Sequence, residues 1–190
     1  MKIVCLLGSP KVKGNSETIA NAFLEAAKKK GAEITTFALN KLTYKGCVAC
    51  MGCKTKKEVC VLKDDLTQVL DAVRNCDILV MATPVYYGDV TSQLKAFIDR
   101  TFCYLVPDFL TNPKASRLKA GKKWVFIQTQ NQPDEKMFSD IYPRYGFAFK
   151  WYGFTETYQI RGNGLLNATD AAGRKDLLDQ ATALAEKIVA

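Results

Sequence analysis

Five short apolar runs alternate with amphipathic stretches along this chain, and few folds accommodate that rhythm. The runs are KIVCLL (2–7), EITTFAL (33–39), DILVMA (77–82), WVFIQT (124–129) and FTETYQI (154–160). Between the first two, Ile19, Phe23, Ala26 and Ala27 recur at helical spacing from Ser16 to Lys30, and Gly31 marks a stop. Leu66, Val69, Leu70 and Val73 share a second helical face behind a cap at Asp64 or Asp65. Leu94, Phe97, Ile98, Thr101 and Phe102 share a third. A fourth carries Phe138, Ile141, Tyr142, Tyr145 and Phe149, with a break or kink expected at Pro143. The last, about 170 to 189, buries Leu177, Leu178, Ala181, Leu184 and Ile188. DILVMA is almost continuously apolar, as a central parallel strand covered on both faces requires. Strands alternating with helices imply an α/β fold, a parallel sheet wrapped on both sides. In such folds ligands sit beyond the carboxyl ends of the strands.

At 190 residues and 48% apolar, the chain suits one domain, 1–190, whose core needs no disulfide staples. The run Ile3–Leu7 is too short for a signal segment, and no apolar run approaches the roughly 20 residues of a membrane helix. The expectation is a soluble, cytoplasmic protein with no membrane partner. Thiols in that compartment stay reduced, which directs a cysteine cluster toward metal or redox chemistry. The chain has no histidine, so imidazole bases and imidazole metal ligands are excluded. Its net charge of +8 favours anionic partners. The positive residues are scattered (Lys54, Lys56, Lys57; Lys119, Lys122, Lys123) and form no basic stripe interleaved with aromatics, which disfavours nucleic acid.

Two post-strand loops stand out. GSPKVKGNSETIA (8–20) is neither a Walker A loop nor a GxGxxG turn, yet it has what a phosphate requires. Gly8 and Gly14 allow close backbone approach, Ser9 and Ser16 supply hydroxyls, and Lys11 and Lys13 supply charge. Asn15 stands where it can cap the following helix, whose free N–H groups point at an anion. The plainer reading is a polar turn with an N-cap. TPVYYGDVTSQLKAFIDR (83–100) follows the most apolar strand and carries Pro84, Tyr86, Tyr87 and Gly88 at its start. Gly88 permits an unusual backbone, and the tyrosines offer ring faces and hydroxyls for a flat heterocycle. Alternatively, either tyrosine closes the core.

A third feature is GCVACMGCKTKKEVC (46–60), inside a cysteine-rich loop at 44–63, with Cys47, Cys50, Cys53 and Cys60 spaced C-x2-C-x2-C-x6-C. Four cysteines at one fixed set of offsets arise by chance on the order of a few times in ten thousand, so the cluster asks for a cause. Zinc usually takes two separated C-x2-C knuckles, whereas three cysteines two residues apart resemble the run that wraps a 4Fe-4S cluster. Redox thiols or an empty site remain open. A loop this long is uncommon in a compact domain unless functional. Cys5, Cys76 and Cys103 lie in apolar patterns and read as small core residues.

The loops GSPKVKGNS and TPVYYGDVTSQLKAFIDR resemble the NADPH-dependent FMN reductase and iron–sulfur flavoprotein branch of the flavodoxin-like fold, over essentially the whole chain. The resemblance implies a three-layer α/β/α sandwich with a five-stranded parallel sheet in order 2-1-3-4-5. It implies FMN, with the phosphate at Ser9, Lys11, Asn15 and Ser16. The ring then lies against Pro84, Val85, Tyr86, Tyr87 and Gly88, and Thr129, Gln130 and Asn131 come from the end of the fourth strand. Lys11 stands where family members carry arginine, which keeps the charge but not the bidentate fork. The resemblance further implies a 4Fe-4S cluster on Cys47, Cys50, Cys53 and Cys60 and a homodimer or tetramer. The resulting expectation is an electron-transfer flavoprotein. Lys54, Lys56 and Lys57 would favour reduction and attract an acidic ferredoxin, or simply be solvated. The alternatives are a cluster-free NAD(P)H-dependent FMN or quinone reductase and a zinc-stapled binding module without chemistry. The insertion YLVPDFLTNPKASRLKAGKK (104–123) is expected to be a lid, an interface or a solvated connection.

Overall fold

The computed structural model describes residues 1–189. Strands β1 (Lys2–Leu7), β2 (Glu33–Ala38), β3 (Ile78–Pro84), β4 (Lys122–Thr129) and β5 (Phe154–Gly162) form one sheet in the order β2-β1-β3-β4-β5. Every neighbouring pair is parallel. The helices are α1 (Asn15–Lys29), α2 (Gly52–Thr55), α3 (Leu66–Asn75), α4 (Ser92–Arg100), α5 (Ile141–Trp151) and α6 (Lys175–Ile188). This is the flavodoxin-like order 2-1-3-4-5 expected above.

Side chains alternate across each strand, so every apolar run feeds two cores. Val4, Leu6, Leu79, Met81, Trp124 and Phe126 face one side, against Val69 of α3, Phe97 of α4 and Phe149 of α5. Ile3, Cys5, Val80 and Ile127 face the other, against Ile19 and Phe23 of α1 and Ala181 of α6. The result is three layers. Trp124 stacks on Phe149 at 4.7 Å and on Tyr142 at 5.2 Å, fixing α5 over the sheet.

Two helix boundaries differ from expectation. Pro143 does not break α5: it sits in the first turn, where a missing N–H costs no intrahelical bond. Phe138 precedes that helix with a left-handed backbone, φ 61°. The last helix begins at Lys175, after a 3-10 turn over Asp170–Gly173. The 104–123 insertion folds back on itself, with Val106 donating to Ala115 O (2.9 Å) and Arg117 donating to Tyr104 O (2.7 Å).

Candidate functional site

The loops at the carboxyl ends of the strands are tied edge to edge. Gly8 N–H donates to Ala82 O (2.8 Å), and the Thr91 hydroxyl donates to Gly8 O (2.6 Å) while capping α4. A Cβ at Gly8 would lie 3.0 Å from Leu94 Cβ, so a larger residue would press the first loop away from α4 by a few tenths of an ångström. Farther along the rim, Val85 N–H donates to Thr129 O (2.8 Å) and Gln130 N–H to Gly162 O (2.9 Å). Together these loops enclose a cleft of about 270 Å3.

Ten of the twelve residues expected to hold the flavin line this cleft: Ser9, Lys11, Asn15, Ser16, Pro84, Val85, Tyr86, Thr129, Gln130 and Asn131. Gly14 lines it too, as does the segment Leu165–Ala168 after β5, which carries no recognisable motif. Tyr87 and Gly88 do not. They are the central pair of a tight turn closed by Tyr86 N–H to Asp89 O (2.8 Å) and Asp89 N–H to Tyr86 O (3.1 Å), both with positive φ (52° and 79°). That turn throws the Tyr87 ring fully into solvent.

Two other side chains take roles the sequence did not suggest. Gly14, not Asn15, is the N-cap of α1. Asn15 instead pins the loop after β5, donating to Asn167 O (2.7 Å) and accepting from Ala171 N–H (2.9 Å). Its backbone N–H and the second amide N–H remain for a ligand. The Gln130 side chain is similarly engaged, accepting from Gln128 and Arg161 (both 3.1 Å). What the cleft offers an anion is therefore the start of a 15-residue helix, the Ser9 and Ser16 hydroxyls, and the exposed Lys11.

The cysteine loop leaves this rim and runs along α4. Tyr44 OH donates to Gln93 O (2.9 Å), Arg100 to Lys45 O (3.0 Å), and Arg74 to Glu58 O (3.1 Å). Lys54, expected at the surface, instead folds inward, donating to Phe102 O and Leu105 O (both 2.6 Å) with its ammonium 3.9 Å over the Phe102 ring. Arg117 of the insertion donates to Cys53 O (3.0 Å) and Cys103 O (2.9 Å). The insertion thus braces the cysteine loop, and no residue of it lines the first cleft.

Cys47, Cys50, Cys53 and Cys60 all line a second, largely apolar cavity of about 630 Å3, walled by the C-terminal half of α4 and by α5. They surround this space and do not converge on a point: among the described residues, no three His, Cys, Asp or Glu side chains gather closely enough to hold one metal ion. Ala49 and Met51, between the first three cysteines, have left-handed backbones (φ 52° and 56°), a strained loop that needs support. Burial pushes the Cys53 thiol up, and Lys54 beside it pulls back. Cys103, read from its pattern as a core residue, is indeed buried but belongs to the wall of the same cavity. Its thiol is pushed up to about 11, first by burial and then by Cys60.

Gly52 controls how closely the two arms of the loop approach. A Cβ there would meet both γ carbons of Val61 at 2.8 Å. Gly52→Ala is expected to cost about 1–3 kcal/mol of stability, read as a lower Tm. Because the clash is with Val61, adding Val61→Ala should recover part of the loss.

The cavities are mechanically linked. Tyr145 and Arg144, which line the second, hold Asp89 of the turn beside the first, at 2.9 and 3.2 Å. Helix α4 joins them end to end: Thr91 before it grips the first loop, and Arg100 at its end lines the second cavity. Nine helical residues span about 14 Å.

A sequence profile of the NADPH-dependent FMN reductase family matches residues 1–132. The chain belongs to that family. It is 36% identical over 121 residues to an iron–sulfur flavoprotein of Methanocaldococcus jannaschii, covering 64% of this chain and 59% of that one. An iron–sulfur flavoprotein of Methanosarcina thermophila is 35% identical over 122 residues, 64% of this chain and 63% of that one. The match thus spans about six-tenths of these relatives' length. In fold, the chain is similar to the NAD(P)H:quinone oxidoreductase of Methanothermobacter marburgensis, with a TM-score of 0.79 at 15% identity, covering 99% of this chain and 96% of that one. It is also similar to an FMN-dependent NADH-azoreductase of Bacillus anthracis solved with FMN, with a TM-score of 0.75 at 15% identity, covering 100% and 99%. Among the described residues, no helix is long and apolar enough to cross a membrane.

Proposed function

We propose that this chain is an oxidoreductase holding FMN in the rim cleft and a 4Fe-4S cluster in the cysteine cavity. The single observation that carries the reading is that four thiols at C-x2-C-x2-C-x6-C spacing line one apolar cavity, joined by α4 to an anion-binding cleft. The thiols fit the group: a cubane takes four thiolates around a volume, whereas zinc needs them around a point. FMN fits the cleft because the start of α1, the two serine hydroxyls and Lys11 offer N–H and O–H donors and charge to a phosphate.

When bound, FMN supplies two-electron chemistry and the cluster one-electron chemistry, so together they link donors and acceptors of different stoichiometry. The chain's own groups bind and orient. Gly8 and Thr91 hold the first loop, which would take the phosphate, against α4; Val85 and Thr129 fix the loop that would hold the ring; and Lys54 and Arg117 clamp the thiol-bearing backbone. Exposed Tyr87, Phe147 and Trp151 leave apolar surface for a second copy in a dimer or tetramer. The partners we assign are a low-potential donor such as an acidic ferredoxin and a small acceptor such as a quinone.

The family's description favours a second reading, a cluster-free NAD(P)H-dependent reductase acting on FMN or a quinone. Anaerobic reductive titration separates the two. Uptake of about three electrons per chain is expected, two at FMN and one at the cluster. Uptake of two, with rapid NAD(P)H oxidation when quinone is added, would replace the first reading by the second.

A further inference from the structure

One cation in the wall of the cysteine cavity is incompletely satisfied. Arg100 is 1% exposed, in a position on α4 that continues the buried stripe of Leu94 and Phe97. Its Nη1 donates to Asp64 (2.6 Å) and Lys45 O (3.0 Å), and its Nη2 donates to Leu62 O at 3.4 Å. Its Nε–H is fully buried and has no partner. A buried donor left unpaired is costly, and native proteins rarely keep one without a use. Arg100 borders the cavity that Cys60 also lines, with its side chain wholly shielded. Burial opposes its charge, yet the hydrogen bond to Asp64 holds the guanidinium protonated.

From the unpaired Nε–H and its place in this wall, we propose that Arg100 donates a hydrogen bond to a sulfur of the bound cluster and thereby raises its reduction potential. The inference rests on the cluster reading above. A cationic donor aimed at sulfur stabilises the more negative, reduced state, because hydrogen bonds to cluster sulfurs and local charge set the potential. The Arg100 Nη groups are anchored by Asp64 and two backbone carbonyls, which leaves the Nε–H fixed in the wall. Asp64 in turn accepts from Lys45 N–H (3.2 Å) and Leu66 N–H (3.1 Å), so the ion pair also joins the two ends of the cysteine loop to α4.

The test uses the full chain purified without oxygen, with iron and sulfide assayed and the cluster potential measured by EPR-monitored titration. Arg100→Lys keeps the charge and the Asp64 partner but removes the Nε–H. It is expected to load iron as the wild type does and to lower the cluster's reduction constant about tenfold, 59 mV for one electron. Wild-type protein labelled with 15N-arginine gives a second readout that does not depend on a variant folding. Pulsed EPR of the reduced cluster should show a 15N coupling, retained in Arg144→Lys and lost in Arg100→Lys. Iron-loaded wild-type protein without that coupling, or Arg100→Lys with an unchanged potential, overturns the role of Arg100 and leaves the cluster standing. Wild-type protein without iron and sulfide overturns the cluster reading and this inference with it.

Discussion

Ser16→Asp is expected to weaken FMN binding by three orders of magnitude or more while leaving the chain folded. Ser16 is 2% exposed, in the first turn of α1, and lines the rim cleft. The first N–H groups of that helix have no intrahelical acceptor, and they are the donors a phosphate would use. A carboxylate placed among them satisfies the same N–H groups and the helix dipole, so the helix itself does not suffer. The phosphate then meets a like charge. At about 4 Å and an effective dielectric near 20, each pair of charges repels by about 4 kcal/mol, which is close to a thousandfold in affinity. Fluorescence titration of the apo-protein with FMN reads the loss, and circular dichroism confirms the fold. Unchanged affinity would move the phosphate elsewhere.

The second large effect is expected at the cysteines. Cys50→Ser should give protein that retains FMN but holds less than about one iron per chain, because a hard oxygen replaces one of four thiolates the cluster needs. Cys50 is exposed, so the substitution removes a ligand without opening a hole in the core. Cys103→Ala is the informative comparison. It lies in the wall of the same cavity but is buried, with a thiol that stays protonated at neutral pH. Iron should remain. Loss of iron in Cys103→Ala with retention in Cys50→Ser would reassign the ligand set.

The sheet was legible because its pattern has one physical solution. Runs such as DILVMA can be buried on both faces only in a parallel sheet with helices on each side, and the strand order follows from the family likeness. The first post-strand loop was legible for a related reason: glycines, hydroxyls and lysines at a helix start leave few other uses. What stayed hidden depended on long-range partners. Lys54 looks like any loop lysine until the carbonyls of Phe102 and Leu105 fold beneath it. Asn15 looks like a cap because the segment that claims its amide lies about 150 residues away, at Asn167 and Ala171. Cys103 shows only its apolar neighbours in sequence, and the cavity it borders is built from elsewhere. Arg100 did carry a local signal, a charge where Leu94 and Phe97 predict an apolar residue. The exposure of the Tyr87 ring has a backbone cause that the sequence did not show. Paired with Gly88, Tyr87 forms a tight hairpin-type turn that leaves the ring in solvent and outside the cleft lining.

The most direct test of the central claim is a metal and chromophore assay of the chain purified without oxygen: its absorbance spectrum, with iron, sulfide and zinc measured on the same sample. The expected result is flavin bands over a broad iron–sulfur shoulder, with about four irons and four sulfides per chain. A clean flavin spectrum without iron, or zinc in its place, would contradict it.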